Sequence, residues 1–267
     1  MSEPQISIVT PSYNQGAYIG ETIESVVSQR ADVDIEYILF DAQSNDQTPE
    51  VLERYAAQID HLRVAPDDGQ ADALLQGFKQ ARGQILSYLN SDDTLLPGAL
   101  AWVVRYFETH PEIDVIYGHR VFTDAGGKVT RFWMLPPHSN YLMQRWDYIP
   151  QETCFWRRSV MDRFGGIDST FQFAMDYEFF ARVMPEVRFA RVNKFLATFR
   201  EHADSKTTLL NLTLGQEEVK RVQAMHHIGI SAVDRQIARL LSLTIHWTSR
   251  LLRPILLRKK LYLKLAP

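Results

Sequence analysis

The sequence predicts an α/β fold, with a mostly parallel sheet flanked by helices, a mixed second half and a helical C-terminal extension. The first observation is that short apolar, β-branched runs alternate with segments of helical periodicity up to about residue 107. The second is that these runs are apolar on both faces, which is typical of parallel strands covered by helices on each side. The third is that polar clusters follow three of the strands, where the ligands of such sheets bind.

The elements of the first half follow from hydrophobic periodicity and from the residues at their ends. The segment after Tyr18, for example, places Ile19, Ile23 and Val26 on one face of a helix. Prolines open two of the helices, because the fixed φ of proline suits a first helical turn. In chain order we predict strand 6–9, helix 18–29, strand 37–40, a helix from 48, strand 62–64, helix 71–81, strand 85–89 and helix 97–107.

The pattern changes after residue 112, where antiparallel structure is expected. Two alternating runs, 115–123 and 128–133, flank Ala125-Gly126-Gly127 and predict a β-hairpin. The later elements are strand 151–156, helix 177–184, strand 187–199 and helical structure from about residue 209 to the end. We therefore predict a domain at residues 1–207 and a helical extension at residues 208–267.

Charge is distributed unevenly along the 267 residues, although the formal net charge of the whole chain is only −3. No acidic residue follows Asp234, and the basic residues beyond it contribute +8, which leaves a net charge of −11 on residues 1–234. This acidic body argues against nucleic acid as a partner, because it would repel phosphates. The single cysteine, Cys154, excludes an intramolecular disulfide, and the N-terminal segment does not have the pattern of a secretory signal. We therefore expect a cytoplasmic protein.

Three polar clusters, at residues 10–14, 41–46 and 90–93, follow predicted strands and carry the candidate chemistry. In the third, Asp92 and Asp93 are adjacent carboxylates, which repel each other unless a cation or hydrogen-bond donors compensate them. Mg²⁺ or Mn²⁺ fits, because proteins usually hold such ions with one or two carboxylates plus substrate phosphates. Helix capping ahead of Pro97 is the alternative role. Asp41 ends an apolar strand, where its carboxylate can accept an N–H from a nucleobase.

The order of these segments closely resembles glycosyltransferase family 2, the nucleotide-sugar-dependent transferases with the GT-A fold. The resemblance covers residues 5 to about 207 and is carried by ISIVTPSYN, YILFDAQSNDQT, DDGQADALLQGFKQARGQILSYLNSDD, QETCFWRR, FGGIDSTF, AMDYEFFARV and FREHADSKT. It implies a Rossmann-like GT-A sheet and a metal-dependent, inverting sugar transfer from a nucleoside-diphosphate sugar. The implied acceptor is a hydroxyl of a glycan or lipid-linked molecule, as in cell-surface polysaccharide biosynthesis.

The resemblance also assigns roles to particular residues. Asp176 matches the catalytic base, which would take the proton of the acceptor hydroxyl. Asp92 matches the main ligand of Mn²⁺ or Mg²⁺, with Asp93 beside it. His202 stands where some members of the family supply a further metal or diphosphate contact. The residues expected at the nucleotide-sugar site are Thr10, Pro11, Ser12, Tyr13, Asn14, Asp41, Ser44, Gln70, Asp72, Asn90 and Ser91.

The sequence departs from the family pattern at several positions, and these leave metal affinity and donor choice open. Asn90 occupies the first position of the D-x-D element, and Met175 stands where an acid often precedes the base. Ala42 and Gln43 replace the usual glycines after the base-contacting aspartate, and Asn45 replaces a common threonine. Asp41, Asp92 and Asp176 are all retained.

Other roles remain open for several of these residues and for the chain as a whole. Asp176 would also suit helix capping, and His202 a structural role. Trp146, Tyr148 and Trp156 would suit either an acceptor pocket or ordinary packing. A nucleotidyltransferase is the first rival class, but residues 10–14 contain neither the glycine nor the lysine of its usual loop. The missing G-x-G-x-x-G pattern argues against a dinucleotide-dependent oxidoreductase. A non-catalytic protein that binds nucleotide sugars is the remaining alternative.

The C-terminal tail is predicted to form a basic amphipathic helix. Residues 235–255, placed on a helix at about 100° per residue, separate into two sides. One side is apolar: Ile237, Leu240, Leu241, Trp247, Leu251, Leu252 and Ile255. The other is basic: Arg235, Arg239, His246, Arg250 and Arg253. This composition is typical of a helix lying in a membrane interface, and its charges exclude a spanning helix. Packing on the chain's own domain or on a second subunit is the alternative.

Overall fold

A computed structural model of the chain describes residues 3–203, 205–207, 214–258 and 262. The strands are β1 Ile6–Ser12, β2 Ile35–Asp41, β3 His61–Val64, β4 Ile85–Tyr88, β5 Thr94–Leu95, β6 Val115–Thr123, β7 Val129–Trp133, β8 Cys154–Arg157 and β9 Phe189–Arg200. The helices are α1 Ile19–Val27, α2 Thr48–Tyr55, α3 Gln70–Gln80, α4 Ala99–Thr109, α5 Asn140–Arg145, α6 Arg158–Phe164, α7 Met175–Val183, α8 Gln216–Met225 and α9 Ala232–Leu257.

The described strands form one nine-stranded sheet in the order β3-β2-β1-β4-β8-β6-β9-β5, and β7 pairs with β6 outside that path. The strands β1 to β4 are parallel to their neighbours in this group. Beyond β4 the sheet becomes mixed, because β8 is antiparallel to both β4 and β6 while β9 is parallel to β6. The predicted α/β class and the change to mixed structure are therefore confirmed, and β6 and β7 form the predicted hairpin.

Helices cover both faces of the parallel part of the sheet, and each face has its own hydrophobic core. Along β1 and β2, Val9 and Ile38 point into one core, while Ile8 and Leu39 point into the other. This alternation explains why both strands carry apolar residues on both of their faces. On one face α3 lies so close to β1 that a Cβ atom added to Gly77 would stand 2.5 Å from Val9. A side chain at this position would push the helix away from the sheet.

The predicted elements agree with the structure in type and order, with ends that differ by a few residues. The short elements β5, α5 and α6 were not predicted, and residues 151–153 form a 3₁₀ turn that precedes β8. The predicted helical structure near residue 209 falls on residues 208–213, which lie outside the described residues. The domain boundary after residue 207 stays a prediction.

The C-terminal helix α9 begins with a capping box, in which Ser231 and Asp234 exchange hydrogen bonds. It packs against β7, where the backbone N–H of Phe132 donates to Ser249 Oγ at 3.1 Å and Leu256 joins a small core. The predicted apolar side lies mostly in solvent: Leu241 and Leu252 at one edge of it are partly buried, while Leu240, Trp247, Leu251 and Ile255 are exposed. Among the described helices, none has the length and hydropathy required to cross a bilayer.

Candidate active site

A cavity of about 1050 Å³ lies at the carboxyl ends of β1 and β4, between the parallel and mixed parts of the sheet. One wall comes from the first hundred residues and includes Ser12, Asn90 and Asp92. The opposite wall comes from β6, β7, β9 and the start of α7, and it includes Asp176 and Arg120. The position agrees with the rule that open α/β sheets bind ligands beyond the carboxyl ends of their strands.

Asp41 holds together the loops that form the first wall. Its Oδ1 accepts hydrogen bonds from the hydroxyls of Ser12 and Ser44, at 2.9 Å and 2.6 Å, and its Oδ2 accepts from the backbone N–H of Ser44 at 2.8 Å. Asn14 continues the arrangement, since its backbone N–H donates to Ser44 Oγ and its Oδ1 accepts from the backbone of Asn45. Asp41 is buried beneath the cavity wall formed by Ser12 and Ala42. These contacts leave one oxygen, Oδ2, with capacity for a further donor.

A chain of hydrogen bonds connects the two walls at the N-terminus of α3. Gln70 donates to Asn90 Oδ1 at 2.7 Å, and Lys206 Nζ donates to Gln70 Oε1 at 2.7 Å. Burial lowers the pKa of Lys206. Lys206 lines the cavity together with Gln70, so the arrangement places a cationic side chain beside Asn90. The sequence prediction included Gln70 and Asn90 but missed Lys206.

Asp92 and His202 come together across 110 residues of sequence, with His202 Nε2 3.0 Å from Asp92 Oδ2. The ring of Tyr18 lies against His202, with 4.6 Å between the ring centres. Within the described ranges, no group of three or more His, Cys, Asp or Glu side chains is arranged to hold a metal. The Asp92–His202 pair beside an open cavity nevertheless fits Mg²⁺ or Mn²⁺, whose remaining ligands are commonly phosphate oxygens and water.

Asp93 points away from the cavity, although it is adjacent to Asp92 in the sequence. It is buried, its Oδ1 accepts from the backbone N–H of Arg200 at 2.9 Å, and its carbonyl oxygen accepts from Thr22. The Arg200 side chain donates in turn to the carbonyl oxygen of Asp92. Burial and the neighbouring Asp92 carboxylate raise the pKa of Asp93 well above its usual range. This environment suits a protonated residue that fixes the turn carrying Asp92.

Asp176 lies in the first turn of α7 and faces the cavity. Burial raises its pKa, against the opposing effects of backbone N–H groups and of Arg120. Another carboxylate, Glu218 of α8, accepts from the backbone N–H groups of residues 172, 173 and 174 at 2.7–2.9 Å. Ala174 occupies the N-cap position, and Asp176 Oδ1 accepts the backbone N–H of Tyr177 at 2.9 Å, so the carboxylate also satisfies a donor of the first turn of α7.

The mixed part of the sheet contributes a buried charge network to the cavity. Arg120 donates two hydrogen bonds of 2.6 Å to Glu152, and both side chains line the cavity. Asp147 lines it as well, and its pKa is raised well above the usual range by desolvation and by the charge of Asp176. Sequence reasoning missed Arg120, Asp147 and Glu152. Arg120 and Asp147 are single charged residues in segments without a motif, so no signal in the sequence could have found them. Glu152, in contrast, belongs to the QETCFWRR segment, which could have marked it as a candidate.

The other predicted site residues divide into those that line the cavity and those that do not. Pro11, Tyr13 and Ser91 line it. Thr10 is buried in the sheet, where its hydroxyl accepts from Tyr37 at 3.1 Å. Asp72 lies outside the lining and accepts from Gln76 within α3.

The aromatic residues considered for an acceptor pocket lie elsewhere, because Tyr148 and Trp156 are buried and Trp146 packs against the same core. The aromatic side chains that line the cavity are instead Tyr13, Tyr88, Phe122, Trp133, Phe173 and Phe199.

The sheet, the strand-end cavity and its carboxylates together define a glycosyltransferase of the GT-A fold. The model of the glycosyl transferase family 2 matches residues 7–165, and the chain belongs to this family. One relative is the O-antigen biosynthesis protein RfbC of Myxococcus xanthus, which is 30% identical over 185 residues. That match covers 67% of this chain but 14% of the relative, so the chain spans a small part of that protein.

Two solved structures share the fold at low sequence identity. TarS residues 1–349 from S. aureus, in complex with UDP-GlcNAc, has a TM-score of 0.65 at 18% identity, covering 91% of this chain and 73% of that chain. The mannosyltransferase PcManGT from Pyrobaculum calidifontis, in complex with GDP-Man and Mn²⁺, has a TM-score of 0.62 at 17% identity. That match covers 92% of this chain and 71% of the mannosyltransferase.

Proposed function

We propose that this glycosyltransferase is inverting and metal-dependent, and that it moves a sugar from a nucleoside-diphosphate sugar to a hydroxyl of a glycan or lipid-linked acceptor. The observation that carries the proposal is that one cavity has Asp92 paired with His202 on one wall and Asp176 on the other. Membership of a family with a relative in O-antigen biosynthesis supports a role in cell-surface polysaccharide biosynthesis.

The donor nucleotide is proposed to bind against the wall formed by β1 and the loop after β2. Ser12, Tyr13 and Ala42 line the cavity at this point. Asp41, buried directly behind Ser12 and Ala42, is proposed to accept an N–H of uracil, thymine or guanine through the remaining acceptor site of its Oδ2. The structural neighbours that bind UDP-GlcNAc and GDP-Man support a nucleotide-sugar donor without selecting one base. Lys206 is proposed to contact the diphosphate, because it is a cation at the cavity whose contact with Gln70 leaves further N–H donors.

Asp92 and His202 are proposed to hold Mn²⁺ or Mg²⁺, while Asp93 stabilises the turn beneath them. The complex of PcManGT with Mn²⁺ supports a divalent ion. Such an ion would act as a Lewis acid toward the charge that develops on the leaving nucleoside diphosphate. The interaction of His202 with Asp92 orients the carboxylate, and the contact with the tilted ring of Tyr18 restricts the rotation of the histidine.

Asp176 is proposed to act as the general base. As the acceptor oxygen forms its bond to the anomeric carbon, its proton passes to the Asp176 carboxylate, and the bond from that carbon to the diphosphate oxygen breaks with its electron pair. Attack from the face opposite the diphosphate inverts the anomeric centre. The raised pKa makes Asp176 a stronger base than an exposed carboxylate, which favours proton transfer.

We place this reaction in the cytoplasm, with peripheral contact between α9 and an anionic membrane. The support is the row of exposed basic and apolar side chains on α9, which is typical of helices that lie in the membrane interface.

The metal site is tested by comparing two adjacent carboxylates. Asp92→Asn should abolish the Mn²⁺-dependent thermal stabilisation of the protein by nucleoside diphosphates, because it removes the charge facing the cavity. Asp93→Asn is the matched control and should retain that stabilisation, since burial already favours an uncharged side chain there. Equal responses of the two variants would contradict the assignment.

The enzyme class is tested with the unmodified chain. Release of nucleoside diphosphate from nucleotide sugars, measured with and without Mn²⁺, should be catalytic and metal-dependent. Binding without release would instead indicate a non-catalytic nucleotide-sugar-binding protein. Formation of a nucleotide sugar from a sugar phosphate would indicate a nucleotidyltransferase.

A further inference from the structure

The helix α9 exposes an apolar stripe that no described part of the chain covers. The stripe consists of Leu240, Leu243, Trp247, Leu251 and Ile255, the last four of which follow one another at every fourth position. Leu240, Trp247, Leu251 and Ile255 are 62%, 56%, 68% and 54% exposed. Residues four apart lie on the same face of a helix, so these side chains form one continuous surface. Contiguous exposed apolar surfaces of this kind are typical of interaction sites.

A basic stripe runs beside the apolar stripe on the same helix. It consists of Arg235, Arg239, His246, Arg250 and Arg253, all of which are exposed. Arg250 also reaches over the Trp247 ring, with 5.9 Å from its guanidinium carbon to the ring centre. The apolar stripe could insert into the acyl region of a bilayer while the basic stripe contacts negatively charged headgroups. An anionic bilayer therefore complements both stripes at once. A second copy of the chain would bring two basic stripes close together if it paired through this face.

The third side of α9 packs on the hairpin of β6 and β7, and the same hairpin lines the cavity. Val121 and Phe132 point toward α9, where they share a core with Leu256. Arg120, Phe122, Arg131 and Trp133 alternate with them along the two strands and line the cavity on the opposite face. A single layer of sheet therefore separates α9 from the cavity wall that faces Asp176.

The start of α9 is fixed to the body by charged contacts as well. Tyr141 of α5 donates to Asp234, and Arg145 lies 3.5 Å from the same carboxylate. These contacts join α9 to α5, which lies close in sequence to the cavity-lining Asp147. The helix is therefore attached at two points, its N-terminus and its contact with the hairpin, to the wall of the cavity that contains Asp176. We call this wall the acceptor wall.

We propose that α9 rests on an anionic membrane surface and holds the acceptor half of the cavity beside the bilayer, so that the acceptor is a sugar carried on a lipid. The inference rests on the proposed function and selects between the glycan and lipid-linked acceptors left open there. A lipid-linked sugar diffuses in the plane of the membrane. Only α9 and one layer of sheet would separate the cavity from that plane, so the cavity could receive such a sugar. Phe122 and Trp133 line this wall with the guanidinium group of Arg120 beside both rings, so the wall offers a sugar both aromatic surface and N–H donors.

Membrane binding is tested by sedimentation of the full chain with vesicles. Vesicles of equimolar phosphatidylcholine and phosphatidylglycerol should bind the protein, and vesicles of phosphatidylcholine alone should bind it about tenfold more weakly. Trp247→Glu and Leu251→Glu should each reduce binding to the anionic vesicles by about tenfold, because a carboxylate replaces an inserted apolar side chain. Met225→Glu is the matched control, since Met225 is 46% exposed on α8, and it should leave binding unchanged.

The acceptor class is tested by comparing the same sugars in two forms. A panel of dodecyl glycosides in the anionic vesicles should accept sugar about tenfold faster than the matching methyl glycosides in solution. Leu251→Glu should remove this difference while leaving the rate with methyl glycosides, and the release of nucleoside diphosphate to water, unchanged. Thermal unfolding of each variant establishes that the exposed substitutions leave the fold intact.

Several outcomes would overturn the inference. Equal rates for dodecyl and methyl glycosides would contradict the lipid-linked acceptor. Self-association that Leu251→Glu abolishes, in a protein that does not bind vesicles, would identify a second copy as the partner of the stripe. Catalytic release of nucleoside diphosphate without vesicle binding would overturn this inference alone, whereas loss of that release in the unmodified chain would overturn the proposed function.

Discussion

The two walls of the cavity are built in different ways. The wall proposed to bind the donor, which we call the donor wall, is held by neutral hydroxyl and backbone N–H groups: Ser12 and Ser44 donate to Asp41, and the backbone of Asn45 donates to Asn14. The acceptor wall is held by buried charges, among them the Arg120–Glu152 pair and the Glu218 carboxylate beneath α7. A nucleotide needs a fixed set of hydrogen-bond partners, whereas proton transfer needs a carboxylate whose pKa is shifted. The difference between the walls follows these two requirements.

The largest expected effect on stability comes from the acceptor wall. Arg120→Met leaves Glu152, which is 1% exposed, without its two hydrogen bonds and should lower the free energy of unfolding by about 3–5 kcal/mol. Adding Glu152→Gln to this variant should recover most of the lost free energy of unfolding, because no unpaired charge then remains. Urea unfolding at neutral pH measures both. Arg131→Met is the control, since its partner Glu201 is exposed, and it should lose less than about 1 kcal/mol. Similar losses for both arginine variants would contradict the difference between buried and exposed pairs.

A smaller effect on stability is expected at Glu218, which supports the N-terminus of α7. Glu218→Gln removes one of the two carboxylate oxygens that accept the backbone N–H groups of residues 172–174, and should lower the free energy of unfolding by about 1–3 kcal/mol. Turnover should fall as well, because these residues fix the start of the helix that carries Asp176. Glu217→Gln, at the exposed neighbouring position, is the control. If both variants unfold at the same urea concentration, Glu218 does not support the helix.

The smallest effect is expected at the donor wall. Ser44→Ala removes a hydroxyl that donates to Asp41 and accepts the backbone N–H of Asn14. Asp41 keeps the Ser12 hydroxyl and the backbone N–H of residue 44, and the exposed Asn14 N–H can bind water, so the free energy of unfolding should fall by about 0.5–1.5 kcal/mol. The affinity for nucleoside diphosphate, measured by calorimetry, should change little. Ser28→Ala, at an exposed serine after α1, should have no measurable effect on stability. If Ser44→Ala lowered the free energy of unfolding as much as Arg120→Met does, the proposed difference between the two walls would be contradicted.

The donor wall could be predicted from the sequence because its signals are local. Apolar runs mark the strands, and the polar residues directly after them fall at one edge of a parallel sheet. The orientation of neighbouring residues in a turn could not be predicted in the same way. Asp92 and Asp93 are adjacent aspartates that were both expected at the metal site, yet Asp93 is buried, where its side chain accepts from the backbone N–H of Arg200 and its carbonyl oxygen accepts from Thr22.

The sequence predicted Asp176 on the acceptor wall but not the charged network around it, because that network depends on contacts between distant parts of the chain. Arg120 and Glu152 lie in different elements, and Lys206 reaches Gln70 across 136 residues. The tail illustrates the same limit. Periodicity identified an amphipathic helix, but its division into a packed side and an exposed apolar stripe depends on the position of β7.

The raised pKa of Asp176 has a consequence for stability that can be measured separately from catalysis. A buried carboxyl with a raised pKa favours folding while it is protonated, and this contribution is lost as the pH rises through the raised value. Asp176→Asn should therefore increase the free energy of unfolding at neutral pH. The increase should vanish as the pH falls toward the ordinary carboxyl pKa of 3.8.

The role of Asp176 is tested most directly by measuring sugar transfer and nucleoside-diphosphate affinity for the unmodified enzyme and for Asp176→Asn. We expect transfer to fall by about 10²–10⁴-fold or more while the affinity in the presence of Mn²⁺ changes less than about twofold. In the unmodified enzyme, the rate should fall with decreasing pH at a value above 3.8, because burial raises the pKa of the base. Undiminished transfer by Asp176→Asn would contradict the assignment of the base.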